Sequence, residues 1–504
     1  MEMDELSTAS TRLILGADLV DQNFCNKKFD RTFNKDNKKN LSRIWLNFDR
    51  CTDRVNSSKR AQSNCEQNTR MANKLDEYSL LQIFESITDC QDKLNVQMVC
   101  KRWNAVCEQS WRSFQQLEVC EHCADEDGFI DMFLCKNILQ RSYNYITKLN
   151  LSCTTHPKND TLMDFDFHDK DTIYGHPCTS TVSQHYDIKP WMLNCCNIQQ
   201  LTISSCVIQC DDAFLSELFR NNQKIRSVEL IQLKLDGSCF RDLSYKHLES
   251  LILATCNITQ INLESLDQIF VKIRCFSIRH SDIVRCNIEY ALTPSLQQLD
   301  LTLPWIDEVN EVFEGDNTHQ LALSTLETNS VILMNLTILI LENSQLNDNL
   351  LSLISLRGYQ LLALDISYCK NVTEEALQSL INLSKLKCLK MDGLSVSDDA
   401  LENLSPNLKI ISATSMYHVT EMGYYMAIEQ LSSLLVIIIG NDFLRSESVN
   451  SLIQMLETEP DRVTPVEIIL YRATFPREEL VEIPPSIQIT FENNLQCIDY
   501  SMYL

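Results

Sequence analysis

The chain has 504 residues, 44% of them hydrophobic, and carries 68 acidic against 44 basic side chains for a formal net charge of −24. That length is too great for one small domain, and the apolar fraction supplies a large core, so two or three domains are expected. The acidic balance argues against nucleic acid or an anionic membrane as a main partner, because a basic patch would have to overcome the field of the whole chain.

Residues 1–73 mix Asn, Lys, Asp, Ser and Arg with few apolar clusters, a composition that predicts a largely disordered arm. Lys27, Lys28, Lys35, Lys38 and Lys39 are scattered among Asp30 and Asp36, a pattern open to reading as a nuclear address or as a solvated stretch. Glu2, Asp4 and Glu5 stand where a secretory signal would be basic, and the run Leu13 to Leu15 is too short for its apolar region. The longest apolar run, Leu434 to Ile439, falls far below the roughly 18 residues of a membrane span. The 22 cysteines are spread diffusely. Together these features predict an intracellular protein, cytoplasmic or nuclear, with reduced thiols and no cofactor.

Between Leu75 and Trp111 the chain reads LDEYSLLQIFESITDCQDKLNVQMVCKRWNAVCEQSW. Leu80, Ile83, Phe84 and Ile87 fall on one stripe of an amphipathic helix. A short polar break, Thr88 to Asp92, precedes Leu94, Val96, Met98 and Val99, and then come Cys100, Trp103 and Trp111. With Leu75, Ile83 and Phe84 in this spacing, VCKRW at Val99 to Trp103 and a later Trp, residues 74–115 resemble the F-box. That family is a helical motif that docks a cullin ubiquitin ligase through a Skp-type adaptor. The resemblance implies adaptor binding through Leu75, Leu80, Ile83, Phe84, Leu94, Val99, Cys100 and Trp103. Some of these would face the adaptor and some would pack the helices together, with Trp103 the strongest anchor candidate. The family usually has Pro where Asp76 stands and an apolar residue where Lys93 stands. Asp76 is suited to cap a helix N-terminus, and Lys93 is expected to snorkel.

Cys120 and Cys123 have C-x-x-C spacing, and Cys153 with His156 offers a second pair that a zinc ion would need. Cys153 is equally explained as a repeat-turn residue, and no metal is expected. The stretch from Cys153 to Cys196 gathers acidic residues and histidines, including Asp160, Asp164, His168 and His176, and reads as a solvated loop or a binding insert.

From about residue 146 a template recurs: L-x-x-L-x-L-x-x-(N/C)-x-(L/I/V), then a helical tail. Its clearest copy is Leu361, Leu364, Ile366, Cys369, Val372, Ala376, Leu377 and Leu380. Copies start near Ile146, Ile198, Ile225, Leu248, Ile273, Leu296, Leu336, Leu361, Leu386, Leu408, Leu434 and Val466. Most starts lie roughly 22–27 residues apart, the leucine-rich-repeat period. The expected architecture for residues 117–504 is an α/β horseshoe solenoid with a parallel concave sheet and outer helices, preceded by a small all-α F-box. In x-L-x-L-x the leucines point inward and their neighbours outward. Cys206, Cys256 and Cys369 hold the turn position, and this cysteine form is typical of F-box proteins with leucine-rich repeats. Thr373 and Ser397 read as helix N-caps, each followed by two acidic residues where the helix dipole favours them.

The outward strand positions include Glu229, Arg279, Asp300, Glu342, Asp365, Lys390, Asp392 and Ser412, the candidate target-binding residues. Ile338, Ile340, Val436 and Ile438 also point outward, either as a partner patch or under a C-terminal covering. Leu389 is expected in the core and Lys390 on the surface, so removing Lys390 should change stability by only about 0.5 kcal/mol. The chain has 9 glycines, no phosphate-cradling loop and no nucleophile–base signature. The resemblance implies a non-catalytic receptor that holds a Skp-type adaptor, and through it a cullin ligase, with its F-box and a protein target with its repeats. An interaction scaffold outside any ligase is the alternative, with the F-box-like helices covering one end of the repeats.

Overall fold

The computed structural model describes residues 75–87, 90–118, 132–152, 187–205, 207–263, 273–303, 317–402, 404–440, 444–457 and 465–492. The arm 1–73, the Cys120, Cys123, Cys153 and His156 set, Cys206 and most of the acidic insert lie outside them. The described residues form two compact units, 75–118 with 132–149 and 187–198, then 150–152 with 199–492.

The first unit opens with three helices, α1 (Glu77–Glu85), α2 (Cys90–Val99) and α3 (Lys101–Ser110). Asp76 starts α1 as expected, accepting from the Ser79 amide at 2.8 Å and the Ser79 hydroxyl at 3.0 Å. Ser86 ends the helix, its hydroxyl donating back to the Ile83 carbonyl at 2.6 Å. The apolar stripe of α1 is buried: Leu80, Ile83, Phe84 and Ile87 pack with Val96 of α2 and Trp103, Val106 and Cys107 of α3. Phe84 meets Trp103 edge to face at 5.5 Å between centroids, a geometry that the ring quadrupoles favour.

Lys93 corrects the sequence reading. It does not snorkel: only 1% of it is exposed. Its Nζ donates to the Ser110 carbonyl at 3.2 Å and the Ser113 hydroxyl at 3.4 Å, and lies 5.4 Å from the Trp111 ring centroid. A buried ammonium is tolerable only when hydrogen-bonded, and these groups supply its acceptors. The unit continues with strand β1 (Gln116–Glu118) and helix α4 (Met132–Ser142).

Strand β2 (Lys148–Leu151) precedes the repeats of the second unit. These carry β3 (Gln200–Ser204), β4 (Ser227–Ile231), β5 (Lys234–Leu235), β6 (Ser250–Ala254), β7 (Asn257–Ile261), β8 (Cys275–Arg279) and β9 (Asp282–Cys286). Then follow β10 (Gln298–Asp300), β11 (Ile338–Ile340), β12 (Ala363–Asp365), β13 (Cys388–Lys390), β14 (Ile410–Thr414), β15 (Val436–Gly440), β16 (Val466–Tyr471) and β17 (Ile487–Glu492). The main sheet of this unit runs β3-β4-β6-β8-β10 and then β11 through β17 in chain order. The pairings are parallel, as a leucine-rich-repeat solenoid requires.

In-register residues Leu339, Leu364, Leu389, Ile411, Ile437, Ile468 and Ile489 make one continuous inward row. All are buried, and each such side chain contributes about 1.5–3 kcal/mol by leaving water. The predicted repeat starts stand at or just before these strands. The turn cysteines act as expected: the thiols of Cys256 and Cys369 donate to the carbonyls of Leu230 and Leu341 in the preceding repeat, at 3.3 and 3.1 Å. After the strands the chain turns through a left-handed residue at Gln232, Thr255, His280, Asn343, Tyr368, Gly393, Ser415 and Arg472.

Two features depart from the expected tails. In the repeats around residues 234–286 a second parallel sheet, β5-β7-β9, forms where outer helices were expected. The segment Asn257-Ile-Thr-Gln-Ile buries Ile258 and Ile261, three positions apart, so it lacks the strict alternation by which a half-buried strand is recognised. Further along, Thr373 and Ser397 do occupy N-cap positions, but neither side chain caps its own helix. They face the preceding repeat instead. Asp348 accepts from the Thr373 amide at 2.9 Å and hydroxyl at 2.8 Å. Asp398 takes the amide and hydroxyl of Thr420, both at 2.7 Å, and Glu374 takes the Ser397 amide. Gly423 makes room for this hook, since a Cβ there would stand 2.5 Å from the Asp398 carboxylate.

Candidate functional site

The first candidate surface lies on α1–α3. Burial sorts the predicted adaptor residues into two groups. Leu80, Ile83, Phe84 and Trp103 are core residues that fix the helices, and Leu94 is half-buried. Leu75, Val99 and Cys100 are exposed. Cys100 also caps α3, its sulfur accepting from the Trp103 amide at 3.4 Å. Arg102 donates to the Leu75 carbonyl at 2.5 Å, which draws the start of α1 to the start of α3. Two further apolar residues are exposed near these in the chain, Tyr78 at 70% in the first turn of α1 and Met98 at 78% beside Val99; neither is among the predicted adaptor residues. Apolar residues of this kind, left in water by helices whose core is already closed, are a feature of interaction sites.

The second candidate surface is the outward face of the main sheet. Here most of the predicted residues serve each other. Asp300 is buried and accepts from Ser277 at 3.1 Å, from Arg279 Nε at 2.9 Å, and from the Thr302 amide and hydroxyl at 3.1 and 2.7 Å. Asp365 is buried; it accepts from the Ser367 amide at 3.0 Å and pairs with Lys390, its register partner, at 3.0 Å. Asp392 is buried and accepts from Ser412 at 2.7 and 3.0 Å and from the Thr414 amide and hydroxyl at 2.7 and 2.8 Å. Burial pushes its carboxyl above the ordinary range, while Lys390 and these donors pull the other way. The Asp300-Leu-Thr and Asp365-Ile-Ser segments are Asx turns at strand ends, in which a carboxylate satisfies the amide two residues on.

Three positions on this face keep part of their surface exposed, Arg279 while paired with Asp300 at 2.9 Å. Arg279 is exposed, and Glu229 is half-buried, accepting from Thr202 at 3.1 Å. Glu342 is half-buried, and burial, reinforced by the nearby Asp365, raises its carboxyl to about 7, with Lys390 opposing. Lys390 is a correction: its side chain is 26% exposed and paired with a carboxylate that is 7% exposed, so it is not a free surface lysine. Ile338 and Ile340 are half-buried, while Val436 and Ile438 join Cys388, Ile410 and Ile469 in a buried cluster.

Cys100, Cys107, Cys256, Cys369 and Cys388 are free thiols. Burial pushes those of Cys256 and Cys369 up to about 11 and that of Cys388 up to about 12, so they stay protonated near neutral pH and act as packing groups. Among the described residues no group of three or more His, Cys, Asp or Glu is placed to hold a metal ion, and no helix is long and apolar enough to cross a membrane.

No family model matches the chain, and no curated protein matches it in sequence. Solved structures resemble it distantly. The crystal structure of the Rad7 and Elc1 complex in yeast aligns over 86% of this chain and 98% of that one, at 14% identity and a TM-score of 0.45. An internalin from Listeria monocytogenes aligns over 80% of this chain and 94% of its own, at 17% identity and a TM-score of 0.40.

Proposed function

We propose that the chain is the substrate-recognition subunit of a Skp–cullin–F-box ubiquitin ligase, acting inside the cell. The observation that carries this reading is the exposure of the apolar Leu75, Tyr78, Met98 and Val99, on helices whose VCKRW segment and stripe resemble the F-box. In this reading these residues meet the adaptor, while Phe84 and Trp103 hold the helices in shape. The repeats offer the outward sheet face, with Arg279, Glu229 and Glu342, to a protein target. The subunit makes and breaks no bonds itself. It raises the effective concentration of target lysines near a charged conjugating enzyme and orients them.

The test is capture of a recombinant Skp-type adaptor by the full chain. Met98→Asp/Val99→Asp should weaken capture by more than about 2 kcal/mol, as loss of a central apolar contact does, and leave the thermal unfolding midpoint in place. Equal capture by wild type and variant, or none by wild type, would overturn the ligase reading and leave a leucine-rich-repeat interaction scaffold.

A further inference from the structure

Val331, Leu356 and Ile381 stand the same distance before Ile338, Ala363 and Cys388, which are in-register partners on β11, β12 and β13. One repeat position is therefore apolar in three successive repeats. It is also in water: the three residues are 51%, 68% and 49% exposed, and Tyr359 nearby is 43% exposed. The core does not need them, because Ile332, Leu333, Ile354, Leu380 and Leu383 fill the interior beside them. Scattered single exposures are ordinary, but an aligned stripe marks a contact surface.

The charge around the stripe says what it fits. Segments 329–338, 355–363 and 380–388, which carry it, contain no Asp or Glu in a chain that has 68 acidic residues. They contain Arg357, Lys385 and Lys387. Lys385 donates to Gln360 of the preceding repeat at 2.7 Å, which holds its charge between the turns that carry Leu356 and Ile381. The other end of the same repeats is acidic, with Asp348, Glu374, Glu375, Asp398 and Asp399 in the first helical turns. The stripe is thus an apolar edge that is cationic at its Leu356 and Ile381 repeats, on a protein of net charge −24.

We propose that this edge docks an acidic amphipathic helix of a partner protein, at a surface separate from the outward sheet face. The stripe runs along the ends of the helical tails, where packed helical elements stand about 8–10 Å apart. Two turns of a helix rise about 10.8 Å, so apolar side chains at i and i+7 of a partner helix meet successive repeats. Acidic flanks on that helix complement Arg357, Lys385 and Lys387. The assignment does not depend on whether the chain binds an adaptor.

The experiment is selection of a phage-displayed library of random 20-residue peptides on the full chain. The enriched pool should combine Glu and Asp with Leu, Ile or Phe at helical spacing. Its retention should fall at least tenfold on Leu356→Asp/Ile381→Asp, and fall also on Lys385→Glu, with unfolding midpoints unchanged. No enrichment, a pool without acidic excess, or retention indifferent to these substitutions would overturn the proposal. So would light scattering showing a self-associated chain that Leu356→Asp makes monomeric, since a second copy would then own the stripe.

Discussion

The helices α1–α3 and the repeats from β10 to β15 treat polar groups in opposite ways. In the helices the interior is a single non-repeating arrangement with an edge-to-face aromatic pair and one buried lysine, while a capping thiol and several apolar residues are left outside. In the repeats the interior is aliphatic and monotonous, and the outward face holds its carboxylates in internal ion pairs and Asx turns. The difference teaches where recognition chemistry sits. On the helices exposure marks the contact residues, whereas on the sheet a charge at an outward position is often already engaged. Sequence position alone says that Asp392 points outward, and packing decides that nothing can reach it.

The largest effect that would break this comparison lies in the helices. Phe84→Ala removes one ring of the aromatic pair from a closed core and should cost about 3–5 kcal/mol, read as loss of the α1–α3 cooperative transition in hydrogen exchange. Little change would mean that the helices are held by something other than their aromatic core. In the repeats, Leu389→Ala should cost about 2–5 kcal/mol by leaving a cavity. Lys390→Ala should cost about 2 kcal/mol in chemical denaturation, because it strands the buried Asp365. Adding Asp365→Asn should recover most of that loss, and a double-mutant cycle without coupling would refute the pairing.

Glu342 sharpens the comparison through pH. Its carboxyl is raised to about 7 from an ordinary value near 4.5, so the folded state binds a proton that the unfolded state has released. Wild type therefore loses stability as pH rises from the lower value through the upper one, and the cost is fully present above it. Glu342→Gln should leave the unfolding midpoint unchanged near pH 4.5 and stabilise by on the order of 2 kcal/mol at pH 8. A pH-independent difference would place Glu342 in water. The smallest effect belongs to Lys93→Met, which exchanges a buried charge for an apolar chain of similar volume and should stay within about 1 kcal/mol of wild type by thermal unfolding.

Much of the solenoid was legible because its information is repeated. The inward Leu and Ile positions, the turn cysteines and the repeat starts each follow from one template, and one misread copy is corrected by its neighbours. The β5-β7-β9 sheet was not legible in that template, because its strands replace the tail in only a few repeats. The left-handed corners were hidden for a different reason: Gln, Thr, His, Asn, Tyr, Gly, Ser and Arg all occupy them, so backbone geometry recurs there without a residue signature. In the helices, the spacing of Ile83, Phe84 and Trp103 was visible but their role was not, since a large apolar residue suits a core and an interface equally. Met98, noted only as part of an apolar run, and Tyr78 were not among the predicted adaptor residues, because their meaning lies in being exposed, which periodicity does not report.

The hooks that join Asp348 to Thr373, Glu374 to Ser397 and Asp398 to Thr420 have a direction. Each acid reaches forward to the next unit's amide, and the next unit's acid reaches forward again. A module bounded by two such hooks carries an outgoing carboxylate and an incoming amide, like a link with one male and one female end. A gene segment duplicated or deleted in frame between equivalent hooks rejoins without leaving an unmatched group at the seam. A cut elsewhere strands one. This array can therefore lengthen or shorten by whole links, and its grammar allows insertions in one orientation only.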